Sequence, residues 1–380
     1  MKKVIVHLSH TDIRSDSRIL KQLNAIKSIQ GIDLYAIGIQ SNGDQGKVIL
    51  NSNLKIRSVK LVSKYLPKWP RLLRHFFNFL ELHILFLKHL IRLKPTVVHC
   101  HDTTVLPVGV IIKFIFKSTL IYDAHELESN RNGQSWILSK CVYILERLLW
   151  GKIDHLISVS QTIVDWYIDE FGYKSNIVVL NSPEVVSNNN SQFEINYLRD
   201  LFKIGDSETI FIYLGIIGFG RGIEMYLDVF ANRVKSAHIV FIGYGEFVDK
   251  VKKYSSLNNN IHYHEPVDHD QVVHISRSAD FGLCFIENVS LSDYYCLPNK
   301  LFEYTFGGLK ILGSNFPEIK KVIDEYGLGF SVEPNADSIA NLINNLDLKN
   351  DLTSRTKDLF PLTWEAQSDK LLKLYLQILD

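Results

Sequence analysis

Residues 213–230 read YLGIIGFGRGIEMYLDVF, and this stretch decides how the chain is built. An apolar run ends in glycine, a glycine-rich loop follows, and a helical pattern begins near Gly222. That order lets a backbone approach a phosphate closely. Glycines remove the Cβ atoms, and a helix N-terminus supplies amide hydrogens and positive potential. Arg221, at the mouth of the helix, carries the planar fork that grips a diphosphate through paired hydrogen bonds. The glycines are not in GxGxxG register and lie mid-chain, so taken alone they fit a tight turn equally well.

Short apolar runs lie on both sides of this segment. After it come HIVFIGYG (238–245), NIHYHEP (260–266), FGLCFI (281–286) and LKILGSN (309–315), with TIFIYLG (209–215) leading into it. Before it stand KVIVHLS (3–9), IDLYAIGI (32–39), TVVHCHD (96–102), TLIYDAHE (119–126), HLISVSQ (155–161) and NIVVLNSP (176–183). Helical patterns separate them; in residues 17–30, Ile19, Leu20, Leu23, Ile26 and Ile29 share one face. Buried runs alternating with helices predict parallel sheets covered on both faces. The polar, asparagine-rich segment 184–192 reads as a linker. The expected organisation is an α/β N-terminal domain over 1–183, a second α/β domain over 184–362, and a closing helix over 363–380 with a Leu371, Leu372, Leu374, Tyr375, Leu379 stripe. Ligands of such sheets sit at the carboxyl ends of the strands, where His101, Asp102, His125 and Glu126 fall. His99 and His101 are expected to face opposite sides of their strand.

The composition agrees with this picture. The chain has 380 residues, 46% hydrophobic and 22% charged, with a formal net charge of +1. Those values exclude disordered and fibrous classes, and the length fits two domains with full cores. Near-neutral charge argues against a dedicated nucleic-acid binder. The cysteines Cys100, Cys141, Cys284 and Cys296 are scattered and lack zinc spacing, as expected of thiols in a reducing compartment. His262, His264, His269 and His274 also lack zinc spacing. Asp268-His269-Asp270 reads as a helix N-cap, so no metal is expected. The N-terminus reads as a buried strand rather than a signal peptide, and no run reaches membrane-span length. A cytoplasmic location is expected.

Charge is unevenly spread. Residues 57–94 hold Arg57, Lys60, Lys64, Lys68, Arg71, Arg74, Lys88, Arg92 and Lys94 against the single acid Glu81, interleaved with Trp69, Phe76, Phe77, Phe79, Phe86 and many leucines. This is either a core helix with a basic rim or a contact for an anionic membrane surface.

In CLPNKLFEYTFGGLKILGS (296–314), Pro298 suits a helix start, and Lys300 and Glu303 lie three apart on one face. A lysine there can meet phosphate, and a glutamate one turn in can accept from a ribose diol. Together YLGIIGFGRGIE, FIGYGE (241–246), LPNKLFEY and the closing helix resemble the retaining glycosyltransferases of family 4. SDSRILKQL (15–23), VVHCHD (97–102) and YDAHE (122–126) resemble that family's acceptor-side motifs. The resemblance implies a GT-B fold, two Rossmann-like domains facing across a cleft, with the C-terminal helix crossing back to the first. It implies a nucleotide-diphosphate sugar, UDP- or GDP-linked, as donor and no other cofactor. The acceptor would be a saccharide or lipid-linked saccharide, as in bacterial surface-polysaccharide assembly.

Carried onto this chain, Arg221 and Lys300 would stabilise the leaving diphosphate, and His125 would face the donor sugar. Gly218, Gly220, Gly222, Pro298, Asn299, Leu301 and Glu303 would complete the donor site. Asp16, Arg18, His101 and Glu126 would line the acceptor side. The chain departs from the family where the first glutamate of E-x7-E becomes Tyr295; Glu287 and Asp293 are nearby carboxylates without that spacing. A nucleotide-sugar epimerase of the same build and a non-catalytic subunit remain alternatives.

Overall fold

The computed structural model describes residues 2–40, 49–51, 54–63, 71–184, 193–234, 237–346 and 357–380. Residues 64–70 of the basic stretch, with Lys64, Lys68 and Trp69, and nearly all of the expected linker lie outside them. Contacts divide the chain into two units: Met1–Leu180 with Ala366–Asp380, and Asn181–Glu365.

The first unit holds β1 (Lys3–Leu8), α1 (Ser17–Ile26), β2 (Ile32–Ile39), β3 (Ile49–Asn51), β4 (Leu54–Val59), α2 (Arg71–Leu93), β5 (Val97–His101), α3 (Leu106–Phe116), β6 (Thr119–Ala124), α4 (Trp136–Leu149), β7 (His155–Ser158), α5 (Gln161–Phe171) and β8 (Ser175–Val178). Its strands lie in the order β3-β4-β2-β1-β5-β6-β7-β8, parallel except for the β3–β4 edge pair. From β1 the chain first moves one way, to β2, and later returns to build β5 to β8 the other way. The reversal at β1 and β5 opens a crevice at their carboxyl ends. Right-handed crossovers then put α1 on one face of the sheet and α2 to α5 on the other. Gly109 is required at the second face, because a Cβ there would stand 2.5 Å from the Cys100 sulfur. Asp16 caps α1, its carboxylate accepting from the Ile19 amide, and Ile19, Leu23 and Ile26 bury its inner stripe.

The second unit holds α6 (Tyr197–Phe202), β9 (Thr209–Ile216), α7 (Ile223–Asp228), β10 (Ala237–Tyr244), α8 (Val248–Leu257), β11 (Ile261–His264), α9 (Val272–Ser276), β12 (Phe281–Cys284), α10 (Leu291–Tyr294), α11 (Asn299–Gly307), β13 (Lys310–Ser314), α12 (Pro317–Tyr326), β14 (Gly329–Val332) and α13 (Ala336–Asn345). Its fully parallel sheet has the order β11-β10-β9-β12-β13-β14, so here the direction reverses between β9 and β12. The last helix, α14 (Trp364–Leu379), places Tyr375, fully buried, in the first unit.

No helix among the described residues is long and apolar enough to cross a membrane. The expected strands form, and the structure adds the β3–β4 pair and β14. The Asp268 side chain makes no capping bond to the short turn that follows it, so the N-cap expected there is not formed.

Candidate functional site

Both direction reversals carry chemically able residues. In the first unit, β1, β5 and β6 bring His7, His99, His101 and Asp123 together, with His125 just beyond β6. His99 and His101 do not face opposite sides of the strand. Side chains alternate, so residues two apart share a face, and the two rings stack with centroids 4.3 Å apart.

Asp123 is the hub of this cluster. Its Oδ1 accepts from Arg18 at 2.9 Å and its Oδ2 from Gln22 at 2.7 Å. His125 Nε2 lies 3.3 Å from Oδ2, and His101 Nδ1 3.4 Å. Burial alone would raise the Asp123 carboxyl. Arg18, His125 and the histidine hydrogen bonds outweigh burial and hold it well below the usual carboxylate range. Burial works against charge on His125 too, but Asp123 and Asp102 overcome it and raise its value. His7, His99 and His101 are lowered, burial first in each case; His99 falls to about 3. His125 is therefore the ring of this cluster best able to carry a proton near neutrality. It is also partly open to solvent, whereas the other three are fully enclosed.

Asp102 flanks His125 from the other side, its Oδ1 3.6 Å from Nδ1, while its Oδ2 lies 3.3 Å from His10. Its backbone has φ 69° and ψ 161°, a conformation that belongs almost wholly to glycine. Holding aspartate there costs about 1–3 kcal/mol. The surroundings that enforce it include the Asp102 amide, which donates to the Asp123 carbonyl at 3.1 Å.

Other residues expected on the acceptor side have structural partners. Asp16 caps α1. Arg18 is buried, clamped between Asp123 and the Val179 carbonyl. Glu126 is half exposed and accepts from Arg131.

In the second unit the glycine loop leaves β9 and is laid across the end of β10. A Cβ at Gly243 would stand 1.9 Å from the Gly215 carbonyl oxygen, so this close approach requires glycine. Ile217 ties the loop down, its amide donating to Tyr244 and its carbonyl accepting from Phe247. Gly222 is the cap of α7, at φ 75°. Two loop amides are held by carboxylates: Phe219 donates to Glu246 at 3.1 Å and Gly222 to Glu287 at 3.0 Å. Arg221 is a third exposed and stands 3.7 Å from Asp293. Lys300, in the first turn of α11, rests over the Tyr213 ring at 3.9 Å. Pro298 occupies the cap position of α11, with Asn299 its first residue. Burial pushes the Cys284 thiol, at the end of β12, up to about 12. Lys300 and Arg221 pull against that and Glu303 adds to it, so all three act on one strand end.

Residues 35–182 match the family model for Glycosyltransferase Family 4. The archaeal glycosyltransferase MJ1069 of Methanocaldococcus jannaschii is 22% identical over 188 residues, 45% of this chain and 46% of its own. The chain thus spans under half the length of the curated relatives it matches. Solved structures match the whole chain. Sucrose-phosphate synthase (tll1590) from Thermosynechococcus elongatus superposes with a TM-score of 0.76 at 16% identity, covering 99% of both chains. Anabaena Alr3699/HepE, solved with UDP-glucose, gives 0.72 at 12% identity over 98% and 99%. The fold is therefore GT-B, two α/β units with parallel sheets. Within the matched stretch, motif reading passed over Asp123, and at Asp102, expected at a strand end, it passed over the backbone strain. The YDAHE and HCHD context was the available signal for both.

Proposed function

We propose that this protein is a metal-independent, retaining glycosyltransferase that takes a sugar from a uridine or guanosine diphosphate donor. The observation that carries the reading is the anchored glycine loop, with Arg221 partly open upon it and Lys300 resting over Tyr213 of the strand that feeds it. Two cations at the diphosphate position would stabilise charge growing on the leaving group, commonly the main source of acceleration in such catalysis. Glu303 would accept from the donor ribose. His125, held between two carboxylates, would present N–H or a lone pair to the reacting sugar or acceptor. The UDP-glucose complex of Alr3699/HepE supports a UDP-sugar donor.

The acceptor that fits is a saccharide or lipid-linked saccharide at an anionic membrane surface, as used in surface-polysaccharide assembly. Helices α2, α3 and α4 lie side by side on one face of the first sheet. They expose Phe76, Ile84, Phe114, Trp136, Ile137 and Leu148. In α4 the one fully buried side chain is Glu146, while Leu148 is 72% exposed. Lys88, Arg92, Lys117, Lys140 and Arg147 stand among these residues at the surface. Apolar side chains ringed by cations suit a leaflet of anionic lipid.

Thermal unfolding with UDP or GDP tests the donor, since a ligand of the folded state raises its apparent stability. One of the two should stabilise the protein, and Arg221→Ala should abolish the effect. No stabilisation by either overturns the donor reading, and turnover of a nucleotide sugar without an acceptor would favour an epimerase. For the membrane, Arg74, Lys140 and Arg147 changed together to Glu should release the protein from phosphatidylglycerol vesicles. Unchanged sedimentation would refute that part.

A further inference from the structure

A continuous run of hydrogen-bond distances crosses the core of the first unit. His125 Nε2 lies 3.1 Å from His101 Nδ1, and His101 Nε2 lies 2.9 Å from His7 Nδ1. His7 Nε2 lies 2.9 Å from the Tyr375 hydroxyl, which lies 2.8 Å from His99 Nδ1. His99 Nε2 then points back at Asp123 Oδ2, 3.6 Å away. His7, His99, His101 and Tyr375 are fully buried, so no solvent can repair a wrong proton placement.

Each neutral imidazole has one donor and one acceptor nitrogen, so the chain can be ordered in only two directions. In one, His99 Nδ1 donates to Tyr375, Tyr375 to His7, His7 to His101, and His101 to His125. That leaves two bare lone pairs facing Asp123 Oδ2, His99 Nε2 at 3.6 Å and His125 Nε2 at 3.3 Å, acceptor against acceptor. In the other, His125 Nε2–H donates to His101, His101 Nε2–H to His7, His7 Nε2–H to Tyr375 and Tyr375 O–H to His99. His99 Nε2–H then faces Asp123. The second order gives every nitrogen and hydroxyl from His125 Nε2 to His99 Nδ1 a partner and leaves one acceptor opposition, His101 Nδ1 at 3.4 Å from Asp123 Oδ2, against two in the first.

We propose that Tyr375 is a positioning residue for His125: through His7 and His101 it fixes the proton of each buried ring on Nε2, so that His125 keeps Nε2–H and gains or loses its proton only at Nδ1. Nδ1 is the nitrogen toward Asp102. Residues far apart in sequence, 7, 99, 101 and 375, thus set which nitrogen of position 125 does proton chemistry. The importance of that nitrogen rests on the reading of His125 as the group facing the sugar. Charged and titratable groups around His125 are Asp123 on β6, Asp102 and His101 at the end of β5, His99 on β5, and Arg18 on α1. His10, Glu128 and Arg131 stand behind Asp102. The Tyr375 hydroxyl is shared between His7 and His99, so its influence on His125 runs through the rings.

Histidine-selective 15N labelling of the full chain, read by long-range proton–nitrogen correlation across pH 5.5–8, tests this without any donor. Failure of the glycosyl-transfer reading would leave this result untouched. In the unmodified protein, His7, His99 and His101 should show the Nε2–H form throughout, and of these four rings His125 alone should titrate. In Tyr375→Phe, His7 and His101 should lose their single form. The His125 midpoint should fall by about 0.5–1 pH unit, the size one neutral hydrogen bond supports. Should Tyr375→Phe fail to fold, the tautomers of the unmodified protein decide by themselves. Nδ1–H on His7 or His101 overturns the proposal, as does a folded Tyr375→Phe protein with unchanged spectra. Stoichiometric Zn2+ shifting the nitrogens of His7, His99 and His101 together would also overturn it, making the cluster a metal site.

Discussion

The two strand-end constellations are built on opposite principles. In the first unit the candidate groups are side chains in a closed network. Asp123 takes Arg18, Gln22 and the histidines, and most of this lies buried. In the second unit the frame is backbone, a glycine loop fastened to β10, with Arg221 and Lys300 standing partly open. A network of side chains fixes protonation and geometry in advance. A backbone cradle with loosely held cations waits for an anion to organise it. The first unit should therefore reveal mutations mainly through stability and proton chemistry, and the second mainly through donor handling.

The harshest way to break this contrast is Arg18→Met. It leaves the Asp123 carboxylate buried without its cation, and removing one partner of such a pair costs about 3–5 kcal/mol. Urea unfolding should show the first unit destabilised by that amount; a midpoint equal to that of the unmodified protein would refute the hub role. The counterpart in the second unit is Arg221→Ala. Donor turnover should fall about 10²–10³-fold, the loss typical of one electrostatic donor at developing charge, while the unfolding midpoint stays put. A large stability loss would place Arg221 in the scaffold instead.

A finer probe compares Asp102→Gly with Asp102→Ala. Both lose the carboxylate, but only glycine relaxes at φ 69°. The glycine variant should be the more stable by about 1–3 kcal/mol, and equal stabilities would remove the strain argument.

The smallest expected effect is one of pH. His7, His99 and His101 are lowered from 6.5, so they stabilise the fold above that value, and this is lost as pH falls toward their folded values. His125 is raised and has the opposite sign: its contribution is full below 6.5 and lost as pH rises through its folded value. Three rings outweigh one, so mild acid weakens the first unit, by up to about 1.4 kcal/mol per ring per pH unit. In the second unit His262 is lowered to about 4 and is only partly enclosed. Hydrogen exchange at pH 5 should therefore open the first unit before the second; the reverse order would sink the comparison.

The same contrast explains what was legible in the sequence. The glycine loop and most strands are local signals: apolar runs bounded by glycine, readable within ten residues. The strand LKIRSV, next to the edge, was hidden because Lys55 and Arg57 alternate outward on it. The hub around Asp123 was hidden more deeply. It joins residues 7, 18, 22, 99, 101, 123 and 125, and no periodicity links them. For His99 and His101 a two-residue spacing was read with the wrong parity, so a shared face became two opposite ones. Helix α4 conceals its role in another way: its apolar residues face outward and its glutamate inward, where Glu146 accepts from Tyr122, Tyr167 and Thr103.

Tyr375 has a further consequence for the order of assembly. The first unit includes residues 366–380, which are synthesised only after the whole of Asn181–Glu365. Domains generally fold as units during synthesis, so the second unit can finish folding on the ribosome while the first still lacks its last helix. Until that helix arrives, His7 and His99 face an unfilled space where the hydroxyl belongs. The nascent chain therefore passes through a stage in which its earliest-made half is the later to mature.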